Sequence, residues 1–299
     1  MGVLDRIALA ALPVVPTRLM RMMSLRYIAG ERLEQAVERL AGLTSEGFRG
    51  ALDILGEDVA SETEARGIAG EYAAAADALR ERKIDAYISV KPTHLGLRLS
   101  EELAHELYSQ LVQHVDTLNS FVRIEMEDHT TTDATLRIFE RIRESSPQRL
   151  GVALQSRLLR TSQDIDALLE GPLNVRMVKG VYLEPARIAY TDPTPIREAY
   201  LEGTRRLWER GAFVALATHD ELMAEELVAL AKSMGIGQDQ YEFQVLLGVR
   251  TPLWRAWRDA GHPVRVYVPY GPNWRAYSTR RLKKNPEVFR HVLKDLVRR

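Results

Sequence analysis

Near the C-terminus the run VRVYVPYGPNWRAYSTRR, from Val264 to Arg281, combines tyrosines with an Arg-Arg pair. It sets Tyr267 at the end of a strand-like segment and, beyond a Gly/Pro turn, Tyr277, Arg280 and Arg281 at helical spacing. Positions i, i+3 and i+4 share one helix face, so Tyr277 and both arginines would point together. Two guanidinium forks beside aromatic rings suit the capture of a small carboxylate. An isolated Arg-Arg pair would instead read as a solvated surface feature. The rest of the chain has to decide between the two.

The elements that would position these residues follow from the apolar patterning. After a helical arm over residues 1–45, short β-like runs alternate with longer helix-like ones over residues 46–299. The predicted strands are Arg49–Leu55, Asp85–Val90, Phe121–Met126, Gly151–Leu154, Asn174–Val178, Phe213–Ala217, Tyr241–Val245 and Val264–Val268. The predicted helices are Ser61–Arg80, Ser100–Leu118, Thr132–Glu144, Ser162–Glu170, Thr194–Arg210, Glu221–Ser233, Pro252–Ala260 and one from Tyr277 onward, with Ser100 and Ser162 as candidate N-terminal caps. Asn285-Pro286 reads as a cap and first residue of a restart in that last helix.

Strand and helix alternating in this way predict an α/β fold with a parallel sheet, and the number of units points to a closed (βα)8 barrel of the TIM type, which has no sheet edges to protect. A doubly wound sheet is the alternative. No G-x-G-x-x-G follows a predicted strand and no phosphate-binding P-loop occurs, which removes the usual reason to expect one.

A length of 299 residues fits one barrel with an arm. Lys+Arg 41 against Asp+Glu 41 gives no net charge to attract nucleic acid. The absence of cysteine removes disulfides, thiol nucleophiles and thiolate metal sites, and is compatible with a cytoplasmic protein. The apolar stretch Ile7–Val15 is too short to span a bilayer and precedes Arg18 and Arg21, so an amphipathic arm that could touch a membrane surface is expected.

Strand side chains alternate between faces, and the outer face of a barrel packs on helices. Ile88, Val90, Val122, Ile124, Val264 and Val266 would therefore face outward. Tyr87, Ser89, Lys91, Arg123, Glu125, Glu127, Arg265 and Tyr267 would face inward. Lys91, Glu125, Arg176, Lys179, His219 and Tyr267 fall at C-terminal strand ends, where sites in this fold lie.

LDILGE (Leu52–Glu57), ISVKPTHLG (Ile88–Gly96), VRIEMED (Val122–Asp128), VRMVKGVYLE (Val175–Glu184), ATH (Ala217–His219), EFQVLLGVR (Glu242–Arg250) and VRVYVPYG with the following Arg-Arg pair together resemble proline dehydrogenase, the monofunctional, FAD-dependent bacterial type. The resemblance covers nearly everything after the arm. It implies a barrel that holds FAD without a Rossmann fingerprint, oxidises L-proline to Δ1-pyrroline-5-carboxylate and passes electrons to a quinone. It further implies a partner in a separate pyrroline-5-carboxylate dehydrogenase and a place in the cytoplasm or at the inner membrane face.

By the same resemblance Lys91, Arg280 and Arg281 would hold the proline carboxylate, with Glu57 pairing Arg281. Tyr182, Leu246, Tyr267 and Tyr277 would wall the ring, and Glu125, Arg176 and Tyr267 would carry the chemistry. Arg176 would also lie near flavin N5, with Gln155 at the ring edge and Met126 contributing backbone. Lys179, Gly180 and Val181 would follow the ribityl and phosphate chain, and Thr218 and His219 would contact the dinucleotide. The sequence departs from the family at Glu125, where aspartate is usual, and at Lys284, where glutamate is common.

Taken singly, Gln155 and His219 also read as satisfied polar residues, Tyr182 and Tyr277 as packing aromatics, Lys179 as a solvated lysine and Gly180 as a tight bend. A metal-dependent barrel hydrolase or aldolase using Glu125, Glu127, Asp128, His129 and His219 is the competing class, although those histidines lack metal-ligand spacing. Another flavin barrel, such as a methylenetetrahydrofolate reductase, is a further alternative.

Overall fold

A computed structural model describes residues 20–21, 24–275 and 277–279. Its centre is a closed parallel barrel of eight strands in sequence order, β8 pairing back onto β1. The strands are β1 (Arg49–Ile54), β2 (Ala86–Val90), β3 (Val122–Ile124), β4 (Leu150–Gln155), β5 (Asn174–Val178), β6 (Phe213–Ala217), β7 (Tyr241–Leu246) and β8 (Val264–Tyr270). Around them run α1 (Leu33–Ser45), α2 (Glu62–Glu81), α3 (Glu101–Thr117), α4 (Thr132–Arg143), α5 (Thr161–Ala167), α6 (Pro193–Glu209), α7 (Glu221–Ser233) and α8 (Thr251–Asp259). A short 3-10 helix, Pro92–Leu95, follows β2. The α/β TIM-type barrel expected from the alternation is the fold of the chain.

The main core lies between strands and helices, where Leu52, Ile88, Val122, Ile124, Val175, Phe243 and Val266 are fully buried. β-branched residues suit this pleated layer, and burying each such side chain contributes about 1.5–3 kcal/mol. α1 belongs to the same layer: Ala36, Val37, Leu40 and Leu43 form its buried stripe, and it packs on β1 and β8.

Local signals set most helix starts. Ser61, Ser100 and Asp220 cap α2, α3 and α7 by accepting from the backbone N–H of Glu64, Leu103 and Met223. Ser162 does not cap α5. That helix begins at Thr161, whose hydroxyl donates to the Gln155 carbonyl, while Arg160 forks onto Asp164 one turn on.

Six strands differ from expectation at one end or both, β1, β2, β4 and β7 by a single residue and β3 and β8 by up to two. β3 ends at Ile124, so Met126 lies beyond it, although the Glu125 amide still donates to Val90 O at 2.9 Å. β8 runs on to Tyr270, because β1 pairs with it as far as Ile54. Residues 274, 275 and 277–279 are helical, in line with the predicted last helix. Its continuation, with Asn285-Pro286, lies outside the described residues. No helix among the described residues is long and apolar enough to cross a membrane.

Candidate active site

Alternation along the strands sends a continuous set of polar side chains into the barrel. At the lower level Glu242 on β7 accepts from Arg265 Nε of β8 at 2.7 Å, from Gln244 Nε2 at 2.6 Å and from Arg49 of β1 at 3.3 Å. Gln244 passes the contact upward: its Nε2 also donates to the Tyr87 hydroxyl at 2.7 Å, and its Oε1 accepts from Arg176 Nε at 2.5 Å. Arg176 donates Nη2 to Tyr87 at 3.2 Å and Nη1 to Glu125, whose carboxylate also accepts from Ser89. The Arg176 fork is thus held on several sides, with its carbon 5.5 Å from the centre of the Tyr267 ring. Above it Lys91 at the end of β2 donates to Asp53 of β1 at 2.9 Å, and the Tyr267 hydroxyl reaches the same carboxylate.

Charge placement explains why these groups stay ionised inside the barrel. Burial alone would raise the Glu125 carboxyl, but the Arg176 guanidinium, the Ser89 hydroxyl and Lys91 outweigh it and hold the group below the usual carboxylate range. Burial would likewise deprotonate Arg176, and Glu125 overrides it, keeping the cation. Glu242 follows the same logic through Arg265. The Tyr87 phenol, buried among Arg176, Arg123 and Arg265, is brought below its ordinary value despite desolvation. Lys91 is desolvated too, yet Asp53 and Glu125 keep its ammonium above the normal range.

Around the mouth, Gln155 donates Nε2 to the Glu127 carbonyl at 2.6 Å. Gly180 follows β5 with φ +97°, and a β-carbon there would meet Gln155 Oε1 at 2.9 Å, so bare backbone is required beside that amide. Lys179 pairs with Asp220 at 2.8 Å, and Val181 is exposed. Thr218 is buried with its hydroxyl accepting from the Asp220 amide at 3.0 Å. His219 Nε2 accepts from the Leu246 amide at 2.9 Å, which leaves the ring proton on Nδ1 and ties the ends of β6 and β7 together. Met126 and Tyr277 are buried, Tyr182 and Leu246 are half-buried, and Glu57 is exposed. Arg280, Arg281 and Lys284 lie outside the described residues, so the expected Glu57–Arg281 pair does too.

The acidic residues that suggested a metal centre are engaged elsewhere. Glu127 accepts from the Thr93 amide and hydroxyl, Asp128 from Arg98, and Glu184 from His129. Among the described residues no group of three or more His, Asp or Glu is placed to hold a metal ion.

Asp53, Glu242 and Gln244 are site residues that the sequence reading passed over. Asp53 is the one charge in the apolar run ALDIL, and Glu242 and Gln244 alternate with Tyr241, Phe243 and Val245. The period-two pattern that marked β2, β3 and β8 was present on β1 and β7 as well.

The family model for proline dehydrogenase matches residues 36–292. The chain is 32% identical over 277 residues to a proline dehydrogenase of Deinococcus radiodurans, covering 91% of this chain and 89% of that one. It is 33% identical over 279 residues to proline dehydrogenase 1 of Bacillus subtilis subsp. natto, covering 93% and 92%. The barrel superposes with a TM-score of 0.83 on proline utilization A (PutA) from Bdellovibrio bacteriovorus, a structure inactivated by N-propargylglycine, at 23% identity; it covers 89% of this chain and 33% of that one, so the chain spans about a third of that structure's length. A parallel barrel whose ionised ladder ends in Arg176, Glu125 and Lys91, carried by a chain matched over nearly its whole length to proline-oxidising enzymes, is a member of the proline dehydrogenase family.

Proposed function

We propose that this proline dehydrogenase family member oxidises L-proline to Δ1-pyrroline-5-carboxylate with FAD as the hydride acceptor and a quinone as the final acceptor. The carrying observation is the convergence of Lys91, Asp53, Glu125, Arg176 and Tyr267 at one barrel mouth. The residues at that mouth fit a flavin dinucleotide. Arg176 offers a permanently charged fork, bare backbone at Gly180 lies beside Gln155, and the part-exposed Lys179 ammonium offers a cation for a phosphate. Met126, Gln155, Arg176, Lys179, Gly180, Val181, Thr218 and His219 would hold it. When bound, the flavin supplies a two-electron acceptor.

The substrate side is carried by this chain's own residues. Lys91, together with Arg280 and Arg281, takes the carboxylate, and Asp53 keeps the Lys91 ammonium aimed and charged. Tyr182, Leu246, Tyr267 and Tyr277 exclude water from the ring, so the C–H bond beside the nitrogen meets its acceptor in one orientation. Loss of that hydride and of one nitrogen-bound proton leaves the C=N bond of the product. Because the amine must be neutral, activity rises with pH through its titration in the complex. Residues 46–299 would form the catalytic domain, with α1 packed against its β1 and β8, and the residues ahead of α1 an arm for contact with the inner membrane face, where a quinone is reached. A separate pyrroline-5-carboxylate dehydrogenase would take the product.

Anaerobic mixing of the purified yellow protein with L-proline tests the reading. Bleaching of the flavin absorbance on proline, and re-oxidation by a soluble quinone, is the expected result; flavin that stays oxidised removes the assignment.

A further inference from the structure

The segment after β5 alternates sharply in exposure although it is not a strand. Val181 and Leu183 are 54% and 97% exposed, whereas Tyr182 is half-buried and the Glu184 side chain is only 3% exposed. A surface carboxylate normally stays in water, and burying one demands donors. Here both oxygens find them on a single residue across the mouth: Glu184 Oε1 accepts from the His129 amide at 2.9 Å and Oε2 from His129 Nδ1 at 2.5 Å. His129 follows β3 in the EMEDH run, so the pair joins the β3–α4 connection to the β5–α6 connection.

Other ties of this segment run to the connection after β4 and, through Lys179 and Asp220 at 2.8 Å, to the start of α7. Arg157 donates Nη1 to the Tyr182 carbonyl at 2.7 Å, and its amide donates to the Lys179 carbonyl at 3.1 Å. The His129–Glu184 pair is a tie that crosses to the β3–α4 connection. Burial first, then the field of the nearby Glu127, Glu57, Glu125 and Asp128, pushes the Tyr182 phenol up.

We propose that His129 and Glu184 form a latch that holds the β5–α6 segment over the barrel mouth and so positions Tyr182 as a wall of the substrate site. Neither residue touches the substrate; both act through Tyr182. This rests on the reading of Tyr182 as a ring wall given above. The latch works by geometry: one residue C-terminal to the outward Leu183, an anchored Glu184 leaves Tyr182 little freedom to rotate away from the mouth.

The test uses full-length enzyme with saturating flavin and steady-state kinetics on L-proline for Tyr182→Ala, Glu184→Ala, His129→Ala and the Glu184→Ala/His129→Ala double variant. The expected result is a rise in KM for proline of about fivefold or more in each, with kcat within about twofold. The double variant should be no worse than either latch single, as for two halves of one contact. Hydrogen exchange should quicken at residues 179–190 in the latch variants and stay unchanged on β5 itself. If Tyr182→Ala raises KM while Glu184→Ala and His129→Ala do not, the latch is wrong and the wall reading stands. If Tyr182→Ala leaves KM unchanged, the wall reading falls and takes the latch with it.

Discussion

Arg176 shows how a single residue can be both expensive and necessary. A buried guanidinium costs several kcal/mol unless it is matched, and Glu125, Gln244 and Tyr87 supply the match. Glu125→Ala should therefore destabilise the protein by about 3–5 kcal/mol, because the remaining cation is left unpaired in the barrel; chemical denaturation at pH 7 measures it. Acid acts on the same site. Glu125, held below the ordinary carboxylate range, contributes stability above that range which is lost as pH falls through its folded-state value.

His94 adds to this acid sensitivity: burial, then Lys91, push its imidazole down to about 4, so the folded protein keeps it neutral while the unfolded chain protonates it near the usual 6.5. Stability should fall by about 3 kcal/mol between those two values, and His94→Gln should flatten the slope over that window in denaturation curves taken at pH 7, 6 and 5. Among the proposed substrate residues, Arg281→Met should raise KM for proline about 10- to 100-fold through loss of the proposed charge-assisted contact while bound flavin is retained. A variant with unchanged KM would disprove the clamp.

At the scale of elements, the ends of strands and the starts of helices are fixed by short-range contacts that substitution can probe. Gly56, just after β1, faces the His94 ring so closely that a β-carbon would overlap it. The ring stands edge-on to Tyr72 at a centroid separation of 6.0 Å and is buried, leaving it little room to yield. Gly56→Ala should cost about 1–3 kcal/mol by overpacking, read as a lowered unfolding midpoint. Ser100→Ala should cost about 1 kcal/mol by removing the α3 cap, and Ser162→Ala much less, since Ser162 does not cap α5. A Ser162 variant as damaging as the Ser100 variant would contradict the observed start of α5.

At the scale of the whole molecule, ion pairs among the described residues fall largely in two settings. Inside the barrel they form the ladder from Glu242 and Arg265 up to Arg176 and Glu125. Outside, ion pairs join successive helices: Arg66 with Glu106 links α2 to α3, Arg137 with Glu101 links α3 to α4, Arg206 with Asp166 links α5 to α6, and Arg197 with Glu226 links α6 to α7. The outer pairs are solvated and screened by salt, whereas the inner ladder is not. Raising KCl from low concentration to molar levels should lower the thermal midpoint by a few degrees without altering KM for proline beyond ionic screening of the carboxylate. A midpoint insensitive to salt would show that the belt contributes nothing.

The sequence by itself determined the barrel. β5, β6 and α7 have the ends that apolar run and turn residues predict, because a short β-branched run bounded by polar turns has few other ways to bury itself. It also determined which face Ser89, Glu125 and Arg265 occupy, since a period of two admits no third choice. What it left open was height and neighbour. Only the register of β1 on β2, with Asp53 beside Ser89, brings Asp53 to Lys91, and only the registers of β5 on β6 and of β6 on β7 raise Gln244 to meet Arg176. Those pairings join residues far apart in the chain, and the stagger that sets them is a property of eight strands closing together, not of any one segment.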